Sequence, residues 1–414
     1  MQKKLIALAV AGLVSGGAFA QSNVTLYGIA DVNVNSLNTG FGSKFTVGSG
    51  GLSASRLGFR GQEDLGNGMK AVFTLEAGLN IDTAQAGATP GAGTAIGINQ
   101  GGAFPGGSSS SAANGTGSQL FARQSFAGVE GNYGSLTFGR QYTGSYIGLA
   151  VVIDPVGGGL YGGPLVTGTP TGITSRFSNS VVYKTPTMSG FRGHFSWTAG
   201  SENNTSGDVN SAAVGACAPA TATCTNDKAG RGYDLAVMYG NGPLNALLST
   251  WDYYGTTYAA VGGETGLAKR QGWALAGNYD FGVVKLHGGY IAGRIRGGEY
   301  ETVTVSNNKN AMWSLGLVWP VSGAGRVVVN ATGFNDKSVA DRDFKVLGLS
   351  YLHDLSKRTT AYVNYGKLTN NGNSFASLQT GGDVLGATIN PGSNTAGGLG
   401  YDPSGLMLGV RHSF

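Results

Sequence analysis

The chain has 414 residues, 74 of them glycine, with 12% charged and 41% hydrophobic residues. Glycine this abundant without a G-X-Y period excludes collagen, and the hydrophobic fraction excludes wholesale disorder. The formal charge is +5, and losing Lys3 and Lys4 with a leader would make it +3, too weak and dispersed for nucleic-acid binding.

No apolar run approaches the roughly 20 residues that a membrane helix needs. The nearest runs from Leu5 to Phe19, follows Lys3 and Lys4, and ends in Ala18-Phe19-Ala20, a small-x-small pattern. It reads as a secretory signal peptide, residues 1–20, which leaves 21–414 as one domain beginning at Gln21.

Beyond the leader, Val24, Leu26, Gly28, Ala30 and Val32 alternate with Tyr27, Asp31, Asn33 and Asn35, the period of a strand. A Gly/Ser-rich segment, 36–51, leads into a hairpin over 56–80. One face of that hairpin carries Leu57, Phe59, Ala71, Phe73, Leu75, Ala77 and Leu79. The other carries Arg56, Gly58, Arg60, Lys70, Val72, Thr74, Glu76, Gly78 and Asn80. Charge this dense does not suit a packed core, so the second face meets bulk solvent or lines a water-filled lumen.

Residues 81–118 are low-complexity Gly/Ala/Ser/Thr and read as a long loop. Strands follow over 119–131 and 134–142, joined by a tight turn. Residues 142–175 form a second long irregular stretch, with Asp154-Pro155 and repeated glycines. Arg176, Ser178, Ser180 and Lys184 then share one face of a strand against Val181 and Tyr183. The same rhythm runs to the C-terminus, giving about sixteen strands of roughly ten residues, with tight turns and long loops alternating.

Lipid offers no hydrogen bonds to backbone, so a chain that spans it without helices must close its sheet. The expected fold is therefore all-β, an antiparallel 16-stranded transmembrane β-barrel with short periplasmic turns and long external loops. Tyr183, Trp197, Tyr239, Trp313, Trp319, Tyr351, Tyr362 and Phe414 fall near strand ends, where interfacial aromatics belong.

A barrel of this size encloses an aqueous channel, and its narrowest point sets selectivity. The 142–175 stretch is the candidate constriction. Facing it are Arg56, Arg60 and Arg176, with Lys70 and Lys184 nearer the periplasmic mouth and Glu76 on the same lumen wall. Asp154 is the acid within the loop, and a basic wall opposite it would set a transverse field favouring anions. A plainer reading is that inward arginines hydrate the wall or pair with neighbours.

Cys217 and Cys224 lie in a polar loop segment. Export favours a small loop disulfide between them, the other reading being two free thiols. Four histidines, none in HExxH spacing or beside a nucleophile pattern, argue against an enzyme, a metal site or a cofactor. A substrate-specific outer-membrane channel is the principal alternative to a general one. A soluble β-sandwich would not need the strict alternation of short turns and long loops.

VTLYGIAD, SRLGFRGQEDLGNGMKAVFTLE, RQSFAGVEGNYGSLTFGRQ, RFSNSVVYKTP, LSKRT and the terminal RHSF appear in this order. With them the chain resembles the trimeric Gram-negative general porins of the betaproteobacterial branch. The resemblance implies a sixteen-stranded barrel, a homotrimer, and passive diffusion of small hydrophilic solutes and ions. It also implies neighbours of outer-membrane lipid and lipopolysaccharide, a third loop folded into the pore, and a terminal Phe414 read by the assembly machinery. The family's eyelet arginines correspond to Arg56, Arg123 and Arg176, with Arg140 nearby. Alternation alone puts Arg123 and Arg140 on the lipid-facing parity, and a bulge at the strand ends would be needed to turn them inward. The constriction loop carries DPVGGG where some relatives have a PEFG-like acidic motif.

Overall fold

The computed structural model describes residues 23–40, 42–86, 120–164, 171–200, 230–254, 258–259, 265–266, 269–296, 308–337, 341–371, 374, 376, 378 and 400–414. The candidate signal peptide lies outside them, as do Cys217 and Cys224.

Sixteen long strands make the barrel. In chain order they are β1 (Asn23–Asn38), β2 (Arg56–Gly66), β3 (Met69–Asn80), β4 (Gln124–Gly131), β5 (Gly134–Tyr142), β6 (Arg176–Lys184), β7 (Phe191–Ala199) and β8 (Arg231–Asn241). There follow β9 (Leu244–Tyr254), β10 (Lys269–Asp280), β11 (Lys285–Arg296), β12 (Asn308–Pro320), β13 (Gly325–Asp336), β14 (Phe344–Asp354), β15 (Thr359–Asn370) and β16 (Ser404–Ser413). Each pairs antiparallel with the next. The sheet closes because β1 takes β16 along Ile29–Asn38 and β2 along Asn23–Ile29. Closure through β1 removes the two open ends that a sixteen-stranded sheet would otherwise present to lipid. The seam is finished by a reciprocal backbone pair, Gly28 N–H to Phe414 O and Phe414 N–H to Gly28 O, both 3.1 Å.

The alternation expected from sequence is visible in exposure. Leu275, Leu315, Leu347, Leu349 and Leu408 stand exposed on the outer face, while their strand neighbours Ala276, Ser314, Val346, Ser350 and Met407 are buried. Tyr362 departs from the expected aromatic belt. It points inward and donates to Asp31 Oδ1 at 2.6 Å, because its register places it on the lumen face with Asn364.

Two segments differ from their expected form. Residues 43–49, expected within an irregular segment, form a short strand (Ser43–Ser49) on the upper half of β1. The chain then kinks inward at 50–55, where the Asp31 carboxylate accepts from the N–H groups of Gly51, Leu52 and Ser53 at 3.2, 2.9 and 2.7 Å. The 142–175 stretch, expected to be irregular, contains a helix, α1 (Gly144–Val152). Glycines and β-branched residues make this a poor intrinsic helix former. Its start is fixed instead by Thr143, whose hydroxyl accepts from Tyr146 N–H, and by Asp234 on the wall, which accepts from Ser145 N–H at 3.0 Å.

From α1 the loop runs along the inside of the barrel. Gly148 sits on Leu247, Val152 O meets His287 Nδ1 at 2.9 Å, and Ile153 covers Gly289. Leu160 N–H reaches Gly51 O at 2.8 Å, and Tyr161 N–H reaches Asn364 Oδ1 at 2.9 Å. Returning, Gly172 O accepts from Tyr253 OH at 2.8 Å. The loop thus covers the wall from β7 through β16 and leaves β2 to β6 facing the open passage.

Candidate functional site: a basic cluster at the constriction

Glu76 sits inward on β3, opposite Gly58 and Gln124 in register. Its Oε2 accepts from Tyr27 OH at 3.0 Å and its Oε1 from Arg123 Nε at 2.7 Å. Arg123 immediately precedes β4, and its own N–H donates to Glu76 O at 3.1 Å. That backbone bond continues the ladder one residue past the strand end. Carboxylate and guanidinium are both buried, so each satisfies a charge that would otherwise be costly to desolvate.

The Arg123 guanidinium continues to Tyr142 OH at 2.5 Å, and Arg176 reaches the same oxygen at 2.6 Å. Arg176 also lies over the Tyr142 ring, 4.2 Å from its centroid, in a cation–π contact. The ring in turn stacks on Tyr146 of α1, with centroids 5.4 Å apart and planes 2° from parallel. The constriction loop is therefore joined to the basic wall through two stacked tyrosines. Arg56 shares the electrostatic neighbourhood of Arg123, Arg176 and Glu76, and its Nε donates to Ala54 O at 2.9 Å.

Strict alternation does not run through this region. Gly139 pairs with Ser180 but Gln141 pairs with Phe177, so β6 carries an extra residue around Asn179, whose φ is 49°. Arg176 and Ser178 therefore do not share a continuous face with Ser180 and Lys184, as alternation had suggested. The irregularity lies where Arg140 emerges. Arg140 stands opposite Ser125 and spans two neighbouring segments, with Nε to Ala122 O at 2.5 Å and a terminal nitrogen to Ser178 Oγ at 2.6 Å.

The remaining expected residues spread along the passage. Arg60 is exposed on the inward phase, 5.4 Å from the Tyr27 ring centroid. Lys70 is exposed at the turn end, flanked in register by Asp64 and Glu130. Lys184 is half-buried opposite Ser135 and His194. Asp154 is buried, and its Oδ1 accepts from Val156 and Gly157 N–H at 2.9 and 3.1 Å. It therefore closes a turn within the loop instead of presenting a carboxylate to the passage. Phe414 lies at the barrel seam, its ring over Gly28.

Alternation left out the two tyrosines that organise the cluster. Tyr27 was legible as inward-facing, but nothing local marks its partner Glu76, 49 residues away. Tyr142 sits at a strand end where phase is lost, and only the loop's path over it reveals its role.

The site is polar, basic and open, and among the described residues it brings no buried nucleophile and base into contact. Its charge can attract anions. Comparison with known proteins points the same way. The Gram-negative porin family model matches residues 7–373. An outer membrane porin protein 32 from Delftia acidovorans is 32% identical over the full length of both chains. An outer membrane porin from Bordetella pertussis is 30% identical over 92% of this chain and 96% of its own. The solved anion-selective porin from Comamonas acidovorans is 26% identical, with a TM-score of 0.64 over 95% of this chain and 100% of that one.

Proposed function

Because the chain belongs to the Gram-negative porin family, and so forms a barrel channel in the outer membrane, we propose that it passes small hydrophilic solutes with a preference for anions. One observation carries the preference. Arg56, Arg123 and Arg176 gather around Tyr142 with a single carboxylate, Glu76, among them, and the loop acid Asp154 is tied into its own turn. Three guanidiniums against one carboxylate leave the constriction positive. A water-filled passage between low-dielectric walls focuses that field and concentrates anions at its mouth. Arg60 extends the positive surface toward the periplasmic end and Lys184 adds to it on the adjacent wall, while Lys70 lines the lumen between Asp64 and Glu130, which offset its charge.

We further propose that residues 1–20 are removed on export, that the mature chain 21–414 assembles as a homotrimer surrounded by lipid and lipopolysaccharide, and that Phe414 serves as its assembly signal. The Cys217–Cys224 pair is proposed as an external loop disulfide. No catalytic step is assigned.

Reconstitution in a planar bilayer tests the channel reading. Under a salt gradient the reversal potential should report anion preference, and Arg56→Gln with Arg176→Gln should move it toward zero. An unchanged reversal potential would remove both residues from the selectivity role. Saturation of the current by one solute class would favour a substrate-specific channel instead.

A further inference from the structure

The helix α1 has two faces of opposite character. Gly144, Ser145, Gly148, Leu149 and Val152 are buried against β7 to β10. Tyr146, Ile147, Ala150 and Val151 fall at i, i+1, i+4 and i+5, so they share the opposite side, which looks across the passage. Three of these are half-buried and Val151 is 58% exposed. Tyr146 is aromatic and the other three are aliphatic, and no charged residue occurs between Tyr142 and Ile153. Asp154, the next carboxylate, is tied into its own turn. Over this stretch the loop therefore presents hydrocarbon to the water of the channel.

The apolar face begins at the basic cluster. Tyr146 stacks on Tyr142, which carries Arg176 over its ring, and its hydroxyl lies within the fields of Arg123, Arg176 and Arg56. Arg123 and Arg176 are buried, whereas Arg56 is half-buried and is the member that a solute can approach. From Tyr146 the helix rises about 6 Å to Ala150, room for one ring or a short chain. Inorganic anions gain from the cations alone and must keep their water beside hydrocarbon. An anion whose body is apolar gains twice, from the charge and from removing apolar surface from water. Small-molecule sites combine the same parts, an apolar lining with a few polar groups that fix orientation.

We propose, resting on the anion-channel reading above, that the constriction favours monovalent organic anions with an apolar ring. The carboxylate turns to Arg56 and the cluster behind it, and the ring lies on Tyr146, Ile147, Ala150 and Val151. A single negative charge suits the site, because a second carboxylate across the ring would be set against hydrocarbon. The contact is one-sided, so it slows passage without stopping it.

Block of the chloride current by benzoate and by nicotinate tests this in planar bilayers at neutral pH. The two anions match in charge and nearly in size, and differ by one ring nitrogen, which is costly to set against hydrocarbon. In the wild type benzoate should reach half-block at a concentration about threefold lower than nicotinate. I147T/V151T places hydroxyls on the helix face and should bring the two concentrations together, nicotinate serving as the reference within each variant. Should that variant fail to assemble, V151T alters only the most exposed of the four and should narrow the difference. Equal block by both anions in the wild type, or none by either, overturns the proposal, as does an undiminished difference in the variants. The wild-type reversal potential in a potassium chloride gradient is read in the same membranes. Anion preference there, with benzoate and nicotinate behaving alike, overturns the ring contact only. No anion preference there overturns the channel reading on which the contact rests.

Discussion

Arg123 Nε lies 2.7 Å from Glu76 Oε1, and each side chain is only 4% exposed. The carboxylate thus lowers the positive charge of the basic cluster while holding one of its guanidiniums in place. Glu76→Gln separates these roles. It leaves Arg123 buried without its counter-charge, which costs about 3–5 kcal/mol. Thermal unfolding in detergent should shift to lower temperature. The surviving channels should be more anion-selective than wild type by reversal potential, because the negative charge has left the ring. A fall in anion preference would show that Glu76 acts chiefly by keeping Arg123 in position.

Tyr142 OH accepts from Arg123 and Arg176 together. Tyr142→Phe keeps the ring that stacks on Tyr146 and removes only the shared acceptor. Hydrogen bonds to charged groups contribute about 1.5–3 kcal/mol each, so two lost bonds should destabilise measurably. The freed guanidiniums should also sample more orientations, and open-channel current noise should rise while mean conductance changes little. Noise equal to wild type would mean that the cation–π contact alone, at 4.2 Å, fixes Arg176.

The barrel was legible in the sequence because period-2 alternation from Val24 to Asn35 and from Leu57 to Asn80 is a direct consequence of strand geometry. Arg56 and Glu76 were legible for the same reason, lying mid-face on regular strands. Arg176 was read inward in the same way, although the bulge near Asn179 breaks the face it was expected to share with Ser180 and Lys184. Arg123 and Tyr142 were not legible by alternation, since both sit where strands end. The helix Gly144–Val152 was hidden for a different reason. Wall residues such as Asp234 hold it, and Asp234 comes 89 positions after its partner Ser145. Local propensity carries no trace of such a partner.

The constriction loop lies flat against the wall at Tyr161 because the strands that Tyr161 crosses present Gly348, Gly366 and Gly405 there. A Cβ on Gly366 would overlap Tyr161 Cβ, and one on Gly348 would overlap the Tyr161 carbonyl. Gly366→Val should therefore push the loop tip into the passage. Overpacking of this kind costs about 1–3 kcal/mol, too little to prevent folding. Single-channel conductance should fall while the sign of selectivity is kept, since the basic cluster on β2 to β6 is untouched. Unchanged conductance would place the tip elsewhere than against β15.

Salt separates a field effect from a size effect at the constriction. The Debye length falls from about 10 Å at 0.1 M to about 3 Å at 1 M. Selectivity that arises from the exposed Arg60 and the half-buried Arg56 must weaken over that range, because mobile ions screen charges they can approach. Arg176 is buried against Tyr142, with no carboxylate paired to it among the described residues, and is screened less, so a residual preference should persist at high salt. The anion-to-cation permeability ratio should accordingly decline with salt and level off above unity. In Arg56→Gln the low-salt ratio should drop and the high-salt plateau should stay near wild type. A ratio independent of salt would assign the preference to pore dimensions, and the cluster around Tyr142 would then act on the loop alone.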